Sequence, residues 1–344
     1  MRPFFLLFFT ALSFSSFSQQ RFPTVELFAP GTKVSLRGLS ALNEVVVWAS
    51  GSKGTIGRTA NGGKTWSWMT VKGFEQRDFR DIEALSATEA VVIAVDTPAI
   101  ILKTTNAGRT WRVVYENRSP GMFLDALDFI TPQQGIVVGD PIDGKIFLAR
   151  TDDGGVTWRE LEAAQRPVVD SGEALFAASG TNIKWLAKDA FALVTGGTRS
   201  RFYHSQLGFN ALPIVQGKET TGANGFDTWT EKNFSKLIVA GGDFNEPASD
   251  SSNIFWSTNR GNSWTPARKS PTGYRSAVRF LSKTHVVTCG LSGVDYSVDG
   301  GKTWTGISTQ GFHTVSVARR GTAVFFAGGG GKVGKLSWEP KPRR

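Results

Sequence analysis

The octapeptide at residues 297–304, Ser-Val-Asp-Gly-Gly-Lys-Thr-Trp, recurs in variant form at residues 59–66 (TANGGKTW), 104–111 (TTNAGRTW), 151–158 (TDDGGVTW) and 257–264 (STNRGNSW). All five copies read Ser/Thr, any, Asp/Asn, any, Gly, any, Thr/Ser, Trp. Each place has a physical use. An Asp or Asn side chain accepts bonds from turn amides a few residues on, and Gly supplies the positive φ that a sharp reversal needs. The hydroxyls tie off the turn edges, and the Trp starts the next strand with a broad apolar face for packing between sheets. Asn61, Asn106, Asp153, Asn259 and Asp299 are therefore expected to be structural turn acceptors.

The tryptophans are spaced by 45 residues from Trp66 to Trp111, 47 to Trp158, 106 to Trp264 and 40 to Trp304. The interval of 106 is two repeats with one box lost. A period of about 40–50 residues, one turn signal per repeat and no heptads point to four-stranded propeller blades. The octapeptide is the Asp-box, and the chain resembles the sialidase-type, or BNR, repeat superfamily.

The phase of the repeats predicts an all-β, seven-bladed propeller of four-stranded antiparallel blades. Inner strands are expected at residues 39–42, 82–85, 126–129, 174–178, 225–229, 277–280 and 315–318. Residues 24–28 form an alternating strand belonging to no box. They are assigned to complete the last blade against residues 332–338, which leaves no open edge at the seam. No Pro- or Ser-rich linker interrupts the 344 residues, so a single domain over 19–344 is expected.

Residues 1–18 read as a signal peptide: a short basic start, an apolar run from Phe4 to Leu12, and Ser16-Phe17-Ser18 before Gln19. The run is too short for a membrane span, so a secreted or periplasmic monomer is expected. Cys289 is the only cysteine, which rules out an intramolecular disulfide, and it lies in an apolar strand as a small core residue. The formal charge of +10 becomes +9 once Arg2 is removed with the leader. Outside the cell this argues against nucleic acid and for an envelope or extracellular protein, or an anionic glycan, as partner.

The boxes lie between third and fourth strands, on the face opposite the functional one. Aligning the starts of the inner strands on the other face places Arg37, Arg80, Arg275 and His313 around one end of the central tunnel. Asp81 follows Arg80, and loops between second and third strands add Asp140 and Asp243. Arginine presents planar paired donors suited to a carboxylate or phosphate, so these seven residues are the candidate ligand site. An alternative use of Asp140, Asp143 and Asp243 is a cation site with oxygen ligands, although their spacing matches no calcium loop. No metal or other cofactor is expected. His204, His285 and His313 lack metal-ligand spacing, and the glycine run at 328–331 joins two strands and opens no helix.

Sialidases place three arginines on a substrate carboxylate and use a Tyr–Glu pair, which Arg37, Arg80, Arg275 and Tyr274 or Tyr203 could imitate. The Phe/Tyr-Arg-Ile-Pro signature is absent, however, and no Glu is tied to either Tyr by spacing. Glycoside hydrolysis of this type is the alternative function. Over its whole length the chain is similar to the photosystem II stability/assembly factor family and its exported bacterial relatives, through Val-rich strands ending in Gly (IVVGD, LIVAGGD, VVTCGL, VFFAGG) followed by the box. That resemblance implies a seven-bladed exported propeller that binds proteins without catalysis.

Overall fold

The computed structural model describes residues 21–29, 31–231 and 234–340. The signal-peptide assignment at 1–18 lies outside the described residues. Seven antiparallel sheets stand in a ring, each inner strand touching the next around to the first. Blade 1 comprises Leu36–Ala41, Val47–Gly51, Thr55–Thr59 and Ser67–Thr70. Blades 2 and 3 repeat this from Phe79–Ala84 and Leu124–Phe129. Blade 5 starts at Thr221–Glu231 and blade 6 at Ala277–Phe280. In blade 7, Thr314–Val317, Val324–Ala327 and Val333–Pro340 are joined by the N-terminal strand Arg21–Phe28, in antiparallel register from Arg21 opposite Pro340 to Phe28 opposite Val333. The seam closes as the alternation at 24–28 predicts.

Blade 4 corrects the sequence reading. Its inner strand is Ile183–Ala187, not 174–178, and it pairs with Ala190–Val194 across the Lys188-Asp189 turn. Both stretches alternate like strands, but the later one closes a two-residue turn, which costs far less chain entropy than a loop running from residue 178 to 190. The outer half is Arg201–His204 and Gly208–Ala211. The displaced stretch does something else: Glu173–Ala174 pairs with Gly196–Gly197, which in turn joins the sheet of blade 5.

Each interface between neighbouring blades holds its own apolar cluster. Between blades 1 and 2, Trp48 and Ile56 meet Ile82, Val92 and Leu102. Box tryptophans pack into the cluster shared with the preceding blade: Trp66, Trp111, Trp158, Trp264 and Trp304 each occupy a different one. The box turns have the predicted chemistry. Asn61 Oδ1 accepts from the Thr59 hydroxyl at 3.0 Å and from the Thr65 amide at 2.9 Å, and Asp299 does the same with Ser297 and Thr303. Asn106, Asp153 and Asn259 repeat the pattern. The fifth residue is left-handed in all five, from φ 78° at Gly155 to 90° at Gly63. Four boxes are also stitched to the turn between first and second strands of their own blade, as by Gly62 N to Val45 O at 2.9 Å and Gly154 N to Gln133 O at 2.8 Å. This fixes them on the face away from the loops between second and third strands.

Candidate functional site

The inner strands of blades 1, 2, 3 and 5 all begin with a bulge. Register shifts fall between Leu36 and Gly38, Phe79 and Asp81, Leu124 and Ala126, and Ala223 and Gly225. The extra residues are Arg37, Arg80, Asp125 and Asn224. A bulge re-aims its unpaired side chain, and here Arg37, Arg80 and Asn224 line the cavity at the tunnel mouth while Asp125 is buried. Gly51, Gly139 and Gly290 face the carbonyls of Ser35, Phe123 and Tyr274 at equivalent points. The residue matching Arg37 in blade 6 is therefore Ser276. In blade 7 Gly328 packs on the Gly311 carbonyl in the same way, so His313 takes the place.

Arg275 is consequently one residue out of phase and does not belong to the mouth. A one-residue slip carries a strand side chain to the opposite face. Arg275 is 0% exposed, with Nε 2.9 Å from Asp295 Oδ2, Nη2 on the same oxygen, and Nη1 donating to the Tyr274 carbonyl at 2.8 Å and to Ser292 Oγ at 2.9 Å. Asp243 is a second correction. It accepts from Asn245 N at 2.9 Å, lies 3.8 Å from Lys218 Nζ and does not line the mouth cavity.

The structure brings Arg37, Arg80, Asp140 and His313 around a cavity of about 360 Å³ whose remaining wall is largely apolar: Phe123, Leu175, Phe176, Phe244 and Leu291. Phe176 meets Phe244 edge-on at 5.8 Å between centroids. Residues 175–178 form the floor, because the stretch displaced from blade 4 dips into the tunnel and plugs it. Ser179 Oγ donates to Ser276 O of blade 6 at 2.8 Å, and Thr314 Oγ1 of blade 7 donates to Ser179 O at 2.8 Å. Gly180 lies against the Asp81 carboxyl of blade 2; a Cβ there would come within 2.3 Å of Oδ1. The plug's root is Glu173, buried beneath Arg201 (Nε to Oε1 2.9 Å) and Thr195. Sequence reasoning missed the plug and the apolar wall; the only signal was that 174–178 and 183–186 both alternate, one strand too many for blade 4.

Charge in the cavity is unbalanced. Arg80 Nε pairs with Asp78 at 2.8 Å, and its Nη1 reaches the Ala177 carbonyl at 3.4 Å. Arg37 makes no ion pair or hydrogen bond among the described residues. Burial, then the neighbouring Arg80, lowers its pKa from the ordinary arginine value and outweighs the opposing effect of Asp78, as expected for a desolvated cation. His313 Nε2 is 3.2 Å from Ser35 Oγ. Burial, then Arg37 and Arg80, push its pKa down to about 3, so it stands as a neutral ring. Asp140 accepts from Leu175 N at 3.0 Å and is pushed up by burial. Asp81 is a third correction: it is buried, does not line the cavity, and accepts from Ile82 N and Leu127 N, both at 2.8 Å; burial pushes it up to about 8. Asp125 is fully buried, neither carboxyl oxygen has a partner, and burial followed by Asp140 raises it well above the usual range. The mouth thus carries Arg37 and the Arg80–Asp78 pair, while burial biases Asp81, Asp125 and Asp140 towards the neutral form.

Among the described residues no group of three or more His, Cys, Asp or Glu side chains could hold a metal ion. Asp140 and Asp243 do not share the cavity, so the acidic-loop alternative has no site to use.

The chain is thus a seven-bladed Asp-box propeller with a plugged tunnel and an arginine-bearing, apolar-walled mouth. Residues 32–126 match the family described as photosynthesis system II assembly factor YCF48. YCF48 from Cyanidioschyzon merolae superposes with a TM-score of 0.62 at 16% identity, covering 91% of this chain and 98% of that one. A structure described as YCF48 bound to D1 peptide gives 0.60 at 17% identity, covering 91% and 96%. No curated protein sequence matches. The chain carries BNR/Asp-box repeats on a YCF48-like propeller.

Proposed function

We propose that this chain is an exported, non-catalytic binding scaffold, a single propeller domain from Gln19, that receives an acidic segment of a partner protein in the mouth cavity. The observation that carries the reading is Arg37, a guanidinium with no ion pair or hydrogen bond among the described residues, set beside Arg80 over an apolar wall. An extended peptide supplies both things such a cavity selects for, a carboxylate for the planar donors and an apolar side chain for the wall. The YCF48 structure that carries D1 peptide supports a peptide as ligand for a propeller of this fold. Tyr274 supports binding over turnover. Its hydroxyl donates to Asn224 Oδ1 at 2.7 Å, and burial raises its pKa, the reverse of what an activated nucleophile needs. Export rests on the basic and apolar run of residues 1–18.

The test is a synthetic peptide array of graded acidity probed with the mature protein and with Arg37→Ala/Arg80→Ala. Acidic peptides should bind the parent and lose at least about tenfold in affinity with the variant, as expected for charge-assisted contacts. Equal retention by both proteins, no preference for acidic peptides, or turnover of fluorogenic sialosides would overturn the proposal.

A further inference from the structure

The missing sixth box leaves a mark on the other face. In blade 4 the third and fourth strands, Arg201–His204 and Gly208–Ala211, are joined by only Ser205-Gln206-Leu207. At other interfaces a lysine closes the gap to the next box. Lys103 Nζ of blade 2 donates to Gly154 O of the blade 3 box at 2.7 Å, and Lys236 of blade 5 lies against Gly300 of the blade 6 box. No lysine is among the described residues lining the gap between blades 4 and 5, and there a cleft of about 710 Å³ stays open, twice the volume of the mouth cavity.

The chemistry of its lining is one-sided. Thr228, Thr230, Ser235 and Thr258 line it with His204 and Arg260 over an apolar base that includes Leu186 and Leu237, the Thr230 and Ser235 hydroxyls lying 3.5 Å apart, and no carboxylate side chain is among the described residues lining it. Arg260 makes no ion pair or hydrogen bond among the described residues. It occupies the fourth box position at φ 61°, where three of the boxes place glycine (Gly62, Gly154 and Gly300). A bulky residue in that region is disfavoured by the close approach of its Cβ to the following carbonyl, and departures from local preference concentrate at functional positions. His204 Nδ1 accepts from Gln206 N at 3.2 Å, which assigns the proton of the neutral ring to Nε2 and makes it a donor. Burial, then Arg260, lowers the pKa of this ring.

We propose that the cleft between blades 4 and 5 on the Asp-box face is a second ligand site, taking the oxyanion group of a small hydroxylated molecule, with Arg260 and His204 Nε2 on the anion and the threonine and serine hydroxyls on the remainder. The site is independent of the mouth.

The experiment is a titration of the mature protein, labelled for NMR, with sodium sulfate, sodium phosphate and sodium glucuronate at ionic strength held constant with chloride. It follows the His204 ring and the Thr230 and Thr258 methyls. At least one probe should give a saturable shift at these residues, and the one that does distinguishes a sulfate, a phosphate and a sugar carboxylate as source. Arg260→Ala should weaken binding by about tenfold or more, while Arg260→Lys retains part of it and Arg37→Ala all of it. Arg260→Ala leaves the turn intact, because Ala107 holds the same box position in blade 2 at φ 61°. The proposal is overturned if none of the probes gives a saturable shift up to roughly ten times a millimolar Kd, or if the shift survives unchanged in Arg260→Ala.

Discussion

Replacing Arg275 with alanine separates a mouth arginine from a core one. If Arg275 stood beside Arg37 and Arg80, removing it would relieve repulsion and leave stability unchanged or raised. The structure instead has its guanidinium fully buried, giving two bonds to Asp295 and one each to the Tyr274 carbonyl and Ser292 Oγ. After truncation Asp295, itself 1% exposed, keeps only Thr272 N and Oγ1, each at 3.3 Å. Breaking one side of a buried ion pair costs about 3–5 kcal/mol, because the remaining charge loses its counter-ion and keeps only these long bonds. With a urea m-value of about 3 kcal/mol/M, the midpoint falls by roughly 1–2 M. Urea unfolding followed by tryptophan fluorescence reads this directly, with Arg37→Ala as the control that should barely move. Arg275→Met/Asp295→Leu, which removes both charges, should recover most of the loss. A midpoint shift for Arg275→Ala below about 0.3 M, equivalent to roughly 1 kcal/mol, would refute the buried-pair reasoning.

Three further outcomes follow from single contacts. Burial opposes ionisation of Asp153, but Thr157 Oγ1 and N, Thr151 Oγ1 and Val156 N outweigh it and hold the carboxyl at about 2. Its folded pKa lies below the unfolded one, so its stabilisation is complete above about pH 4 and fades towards pH 2. Asp153→Ala should cost about 1–2 kcal/mol at pH 7, whereas Asp153→Asn, the residue of three other boxes, should cost under about 1 kcal/mol; equal losses in chemical denaturation would contradict this. His313, with its pKa lowered to about 3, favours the folded state most above the ordinary histidine pKa and progressively less as pH falls towards 3. Its ring resonances should stay constant from pH 8 to 5, and His313→Gln should gain stability relative to the parent on acidification. A titration midpoint near pH 6.5 would contradict the cationic setting of the mouth. Gly180, at φ 68° against Asp81, admits no Cβ. Gly180→Ala should destabilise by more than about 1 kcal/mol and speed hydrogen exchange at Ser179 and Thr181, and unchanged exchange there would mean that the plug is not seated in the tunnel.

Features that are local and repeated are legible in the residues alone. Five boxes specify their turns through bonds within eight residues, as Asn61 and Asp299 show, and their period counts the blades. The alternation of residues 24–28 was enough to assign the closing strand, because a propeller has one open edge and one place for a spare strand. Which side chains meet at the tunnel depends instead on the folded arrangement of the blades. Arg37, Arg80 and His313 reach it and Arg275 does not, since a bulge that shifts phase by one residue is invisible to spacing yet exchanges core for channel. The plug is of the same kind. Residues 174–178 alternate as well as any strand, and what sends them into the tunnel is a set of partners drawn from distant blades: Asp81, Ser276 and Thr314 around Ser179 and Gly180. Local pattern fixes which elements form, but such contacts between distant parts of the chain exist only once all seven blades have closed around one axis.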